Sequence, residues 1–223
     1  MKTNPPILKT KNLKPAKKAT HLKILKAARK VFAQYAYHAA SIRMIGREAG
    51  IDHPLISYYF PSKAKLFEAV LTDIVQEWRK ANETWFDGLD QMRPETGLSL
   101  YIDRMLNDMR KHPYAAKVFL LNMVQAQDGD TIPGYQVIQE FFDQSMKLLK
   151  SLIPRQASDH DIEKFSQSFN TLAMSYVGAN SYYAGILGLP ANSRQYKQWV
   201  KEMLMDLFLP RLKQLMYGEK NNN

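Results

Sequence analysis

Histidines stand at positions 21, 38, 53, 112 and 160 of the chain, scattered, with no His-Glu-x-x-His among them. There is no cysteine, which excludes disulfides, thiolate nucleophiles and Cys-type zinc sites together. Neither a Gly-x-Ser-x-Gly nucleophile turn nor a Gly-x-x-x-x-Gly-Lys phosphate loop occurs. Residue types and spacing therefore argue against an enzyme, and no cofactor or metal is expected. What is concentrated is positive charge. Residues 1–65 hold fourteen Lys or Arg against two acids, Glu48 and Asp52, whereas the rest of the 223 residues hold seventeen basic against nineteen acidic side chains. The first third thus carries +12 and the remainder −2, within an overall +10. A charge needed only for solubility would be spread along the chain; one confined to a third of it marks where a polyanion docks.

Those cations need elements to hold them. Residues 1–18 mix Lys2, Lys9, Lys11, Lys14, Lys17 and Lys18 with prolines and few apolar groups, a composition that builds no core and reads as a flexible basic arm. From Thr20 onward, Leu22, Leu25, Ala28, Phe32 and Tyr35 recur at three- and four-residue spacing and predict a helix. Ser41 is a good N-cap for a second, short helix that Gly50 ends. Asp52 is placed to cap a third, with Pro54 in its first turn, where a missing N–H costs little. Pro61 breaks that helix and Ser62 starts a longer one from Lys63 to about Phe86.

Two short helices over 41–49 and 53–59, joined by Gly50-Ile51-Asp52 and backed by the helix before them, make a helix-turn-helix pattern. Gly50 suits a sharp reversal that a side chain resists. With Ile45, Ala49, Ile56 and Phe60 assigned to a small core, His53, Ser57, Tyr58 and Tyr59 remain for the outer surface. That surface is short enough for a DNA major groove.

The stretch ILKAARKVFAQYAYHAASIRMIGREAGIDHPLISYYFPSKAKLFEAVL, residues 24–71, resembles the DNA-binding domain of the TetR family of bacterial regulators. The likeness rests on an ordered set: Ile-Leu-x-Ala-Ala with its Phe, Ser41 at a helix start, Ala49-Gly50-Ile51 at the turn, and Tyr59-Phe60-x-Ser-Lys63 followed by Leu66. It implies that Ser41 and Lys63 touch phosphates at helix N-termini, that Arg43 reaches a base edge or a phosphate, and that His53, Pro54 and Leu55 face bases. Ser57, Tyr58 and Tyr59 would lie along the flank, and Lys17 and Lys18 would add contacts from the arm. Ser57 stands where the family usually has Tyr, and Ala36 where Gly is common. The first departure leaves one contact open.

Beyond Phe86, Pro and Gly signals separate predicted helices over 98–111, 114–126, 135–152, 162–187 and 195–216. The expected fold is all-α: an arm (1–18), a three-helix helix-turn-helix domain (19–66) and a helical-bundle domain for effector binding and dimerisation (67–223). The 162–187 helix is apolar or small on more than one face, and a helix apolar all round is buried all round. Ala173, Val177 and Ala184, with Trp199, Met203, Leu207 and Phe208 on the last helix, are the expected homodimer interface. Trp78, Trp85, Phe86, Tyr101, Met105, Phe119, Met123, Phe142, Met146 and Tyr176 are the candidates for an apolar pocket.

The resemblance implies a repressor that binds palindromic double-stranded operator DNA and is released by an unidentified small molecule, apolar or aromatic. No stretch nears the length of a membrane helix and no secretory signal pattern is present, so a cytoplasmic protein, on the nucleoid when bound to DNA, is expected. A helical interaction protein that keeps the motif without reading DNA is the alternative.

Overall fold

A computed structural model describes residues 15–124, 132–154 and 157–218. Among the described residues every regular element is a helix: α1 (Pro15–Phe32), α2 (Ile42–Ala49), α3 (His53–Tyr59), α4 (Lys63–Phe86), α5 (Pro94–Lys111), α6 (Ala115–Met123), α7 (Tyr135–Leu152), α8 (Asp159–Gly178), α9 (Asn180–Ile186) and α10 (Arg194–Tyr217), with a 3₁₀ turn at Leu89–Gln91. No helix there is long and apolar enough to cross a membrane. The chain divides into two compact units, Met1–Gln76 with Lys117–Ile138, and Glu77–Ala116 with Gln139–Asn223. The first unit therefore runs past residue 66 and recruits a stretch from much later in the chain.

In the first unit α1 packs on α2, and α2 on α3. Ile24, Ala28, Phe32, Ile45, Ile56 and Phe60 close around one another with almost no exposure, and full burial of such a side chain contributes about 1.5–3 kcal/mol. α1 begins at Pro15, so Lys17 and Lys18 belong to its first turn; the rest of the expected arm, 1–14, lies outside the described residues. Proline tolerates that position because a helix's first N–H groups have no partner. Asn122 ties in the later stretch: its Oδ1 accepts from the Tyr37 backbone N–H at 2.7 Å while its Nδ2 donates to the Val118 carbonyl at 2.8 Å.

In the second unit α10 packs against α5 and α8. Ile102, Met105 and Leu204 are fully buried, as is Trp78 beside Phe141. The single helix expected over 162–187 is two helices, broken at Ala179. Asn180 explains the break: its Nδ2 donates to Asn192 Oδ1 at 3.0 Å and to the Ala191 carbonyl, and its Oδ1 accepts from the Ser181 N–H at 2.9 Å. Such side-chain bonds compete with a continuous helix. The last helix, by contrast, runs through Pro210, which deprives one turn of a backbone hydrogen bond.

Candidate nucleic-acid interface and ligand cleft

The interface is built from the turn outward. Ser41 holds an extended conformation (φ −130°, ψ 154°) and its Oγ accepts from the Met44 N–H at 3.2 Å, capping α2. At the other end Gly50 is left-handed (φ 57°), and the Ile51 N–H reaches back to the Gly46 carbonyl at 3.0 Å, a Schellman closure. Gly46 was not singled out from the sequence, yet a Cβ there would stand 2.8 Å from the Ile51 carbonyl oxygen and 3.4 Å from Ile56 Cδ1. The available signal was a glycine inside a short helix, at a cost of about 1 kcal/mol in propensity, which asks for a packing reason.

α3 follows at once. Asp52 takes the N-cap position without a side-chain cap bond, contrary to the capping expected of it, and Pro54 sits in the first turn. His53, Pro54, Leu55, Ser57 and Tyr58 are exposed together on the outer side, while Ile56 and Phe60 close the core. Tyr59 departs from the sequence reading: it is only 4% exposed and packs edge-on to His21, with ring centres 6.1 Å apart. The i, i+3 and i+4 geometry of α3 accounts for this, because Tyr59 shares the face of Ile56.

Exposed positive charge is plentiful on the same unit. Lys17 Nζ donates to the Tyr58 hydroxyl at 2.9 Å, and this bond, foremost, holds its ammonium above the usual lysine range. Lys18, Lys23, Lys26, Arg43 and Arg47 are exposed. Lys30 pairs with Glu48 at 2.7 Å and Arg29 with Asp73 at 3.7 Å. Lys63 is turned inward: its ammonium donates to the carbonyls of Tyr37 (2.8 Å), Ala40 (3.0 Å) and His38 (3.4 Å) and lies 4.5 Å from the Tyr37 ring centre. It thereby fixes the loop that ends at Ser41.

His21 is a buried polar residue that sequence reasoning left unassigned. It is 4% exposed, its Nδ1 has no hydrogen-bond partner among the described residues, and it lies 4.8 Å from the Phe60 ring centre. Burial pushes its imidazole below the ordinary 6.5. As pH falls through 6.5 the unfolded chain takes up a proton that the native histidine resists, so native stability is complete above that pH and declines below it. Thermal unfolding followed between neutral pH and pH 5 should show His21→Phe losing less stability than the unsubstituted chain. Parallel curves would mean that His21 does not titrate on unfolding.

The second unit contains an open cleft between α4, α5, α7, α8 and α10, of about 830 Å³ with the solvent at its mouth included. Of the aromatic and Met candidates, Phe86 and Tyr101 line it, joined by Phe165 and Phe169. Trp78, Trp85 and Met105 are buried in the packed core, and Tyr176 packs on Trp199 and Tyr183. Phe142 and Met146 are half-buried on α7 and lie outside the lining. Phe119 and Met123 belong to the first unit, where with Phe67, Leu71 and Asn122 they border a separate, narrow space. Of the expected interface residues, Ala173, Ala184 and Phe208 are buried within the chain, Phe208 against Phe165 and Phe169. Leu207 is 52% exposed, and Val177, Trp199 and Met203 are half-buried.

A capped helix-turn-helix with an exposed second helix and exposed cations on the same domain is an arrangement shared with DNA-binding domains. Residues 24–70 match the family described as "Bacterial regulatory proteins, tetR family". Over 101 residues it is 31% identical to the HTH-type transcriptional regulator RutR of Escherichia coli (strain K12), covering 45% of this chain and 46% of that protein. It is 33% identical over 81 residues to the HTH-type transcriptional regulator BetI of Cronobacter sakazakii, covering 36% and 40% respectively. The chain thus spans about half the length of the curated relatives it matches. The fold extends further: a TetR-like transcriptional regulator from Rhodococcus sp. RHA1 superposes with a TM-score of 0.60 at 19% identity, over 93% of this chain and 100% of that one.

Proposed function

We propose that this chain is a ligand-responsive transcriptional repressor that binds a near-palindromic operator as a homodimer and leaves it when a small molecule fills the cleft of the second unit. The observation that carries the reading is the exposed row His53, Pro54, Leu55, Ser57 and Tyr58 on α3, with Lys17 bonded to Tyr58 and the exposed Arg43 on α2. A short helix with polar and aromatic groups outward and cations around it suits base reading within a phosphate frame. A soluble protein working on the nucleoid follows from the same reading.

Footprinting on DNA flanking the gene, followed by titration over a range of salt, tests the proposal. Log affinity should fall linearly with log salt, at about −0.9 per phosphate neutralised. Arg43→Ala should relax sequence preference by about 1–3 kcal/mol if the guanidinium reads a base. Lys63→Ala should weaken binding with the salt slope unchanged, because Lys63 bonds three carbonyls of the loop before Ser41. A slope flatter by about one unit would return Lys63 to the phosphates. Equal affinity for footprinted and random fragments would favour the motif as an interaction scaffold and reject the operator reading.

A further inference from the structure

The cleft of the second unit has a chemistry that narrows what it can hold. Its depth is apolar, with Leu98, Leu149, Ile153, Phe165 and Phe169 on its walls, and the charged residues among its lining, Asp90 and Arg93, are both exposed and of opposite sign. A charge carried inside would leave water without a fixed counter-charge, and an unpaired buried ion is strongly disfavoured. The polar groups of the interior are neutral, and they are unevenly satisfied. Ser145 is fully used, accepting from Asn82 Nδ2 at 3.1 Å and donating to the Phe141 carbonyl at 3.1 Å. Ser166 accepts from Asn170 Nδ2 at 3.3 Å, but its own proton finds no acceptor among the described residues. The Tyr101 hydroxyl has no hydrogen-bond partner among them, although its ring is held by Phe86 at 5.0 Å, Phe169 at 5.7 Å and Trp85 at 6.2 Å.

Resting on the reading of this chain as a ligand-responsive regulator, we propose that the cleft takes an uncharged, largely apolar molecule whose carbonyl or ether oxygen accepts a hydrogen bond from the Tyr101 hydroxyl. A donor fixed by three aromatic neighbours and bonded to no group of the described chain can exchange water for an acceptor brought into the cleft. Burial pushes the phenol well above the usual tyrosine range, so it remains a neutral donor at any physiological pH.

The purified full chain is titrated, by tryptophan fluorescence, with three probes of matched length: 2-undecanone, decanoate and decylammonium. The ketone should saturate, and the two ions should bind at least about tenfold more weakly because each must leave its hydration behind. Tyr101→Phe should loosen the ketone by about five- to tenfold, as for one neutral hydrogen bond, while leaving the unliganded melting temperature unchanged or raised. Gly97→Leu should block the ketone, since Gly97 lines the cleft and a Cβ there meets neighbours only at 3.8 Å and beyond. Ionic probes binding as tightly as the ketone, ketone affinity unchanged in Tyr101→Phe, or no binding by any probe would overturn the proposal. Operator titration of the same samples without probe separates the two readings. A chain that binds DNA yet prefers decanoate loses the ligand class alone; one that binds the ketone through Tyr101 yet ignores DNA loses the regulator reading alone.

Discussion

Gly46→Val should abolish operator binding. The new Cβ would lie 2.8 Å from the Ile51 carbonyl oxygen, and that oxygen has little freedom to retreat because the Ile51 N–H is itself bonded to the Gly46 carbonyl at 3.0 Å. The two branches of valine would also press on Ile56, which is fully buried and anchors α3. Either the turn opens or α3 rotates, and each outcome displaces His53, Pro54 and Leu55. Overpacking of this kind costs about 1–3 kcal/mol, a large share of a small unit's stability. Circular dichroism should show a lowered melting temperature with the native helicity retained well below it, and gel shifts should show no specific complex. A Gly46→Val protein that melts and binds normally would show that the turn can shift freely.

Leu207→Glu should produce a folded monomer with much weakened operator binding. Leu207 is half exposed on α10, in line with the half-buried Met203 and Trp199 at four-residue steps, and Tyr182 and Ile186 on α9 are each 67% exposed. An apolar row with this much unburied surface gains about 25 cal/mol per Å² when a second copy covers it. A carboxylate placed there cannot be buried without a partner. Because one short recognition helix binds weakly, loss of the second half-site should lower operator affinity by about 10²-fold or more. Sedimentation, circular dichroism and operator titration on one preparation decide the matter. A dimeric variant places the interface elsewhere, and a monomer of undiminished affinity separates dimerisation from recognition.

Most of the helix-turn-helix could be read from local chemistry. Ser41, Gly50, Pro54 and Pro61 act through their own backbone geometry, so the ends of α2 and α3 coincide with their signals. What escaped reading depends on residues distant in the chain. Lys63 has the type and position of a phosphate ligand, and only the fold brings the carbonyls of Tyr37, His38 and Ala40 to it. Tyr59 is polar at one end, but its place beside Ile56 and His21 puts it among the buried residues. The break before α9 comes from Asn180 reaching Ala191 and Asn192, and no periodicity announces it. In the cleft, aromatic type alone could not separate Tyr101 from Trp78, because both look like core until the helices are placed.

The tie between Asn122 and Tyr37 has a consequence for the order of synthesis. Residues 15–76 leave the ribosome long before residues 117–138, so the nascent first unit exists for a time with the Tyr37 N–H unsatisfied by Asn122 and with Phe67 and Leu71 lacking Phe119 and Ile138. Its assembly is complete only after α5 has been translated. Chimeric regulators that graft this N-terminal region onto another sensor at a single junction after residue 76 therefore omit part of the grafted unit. Those that also carry residues 117–138 should give the better-behaved protein.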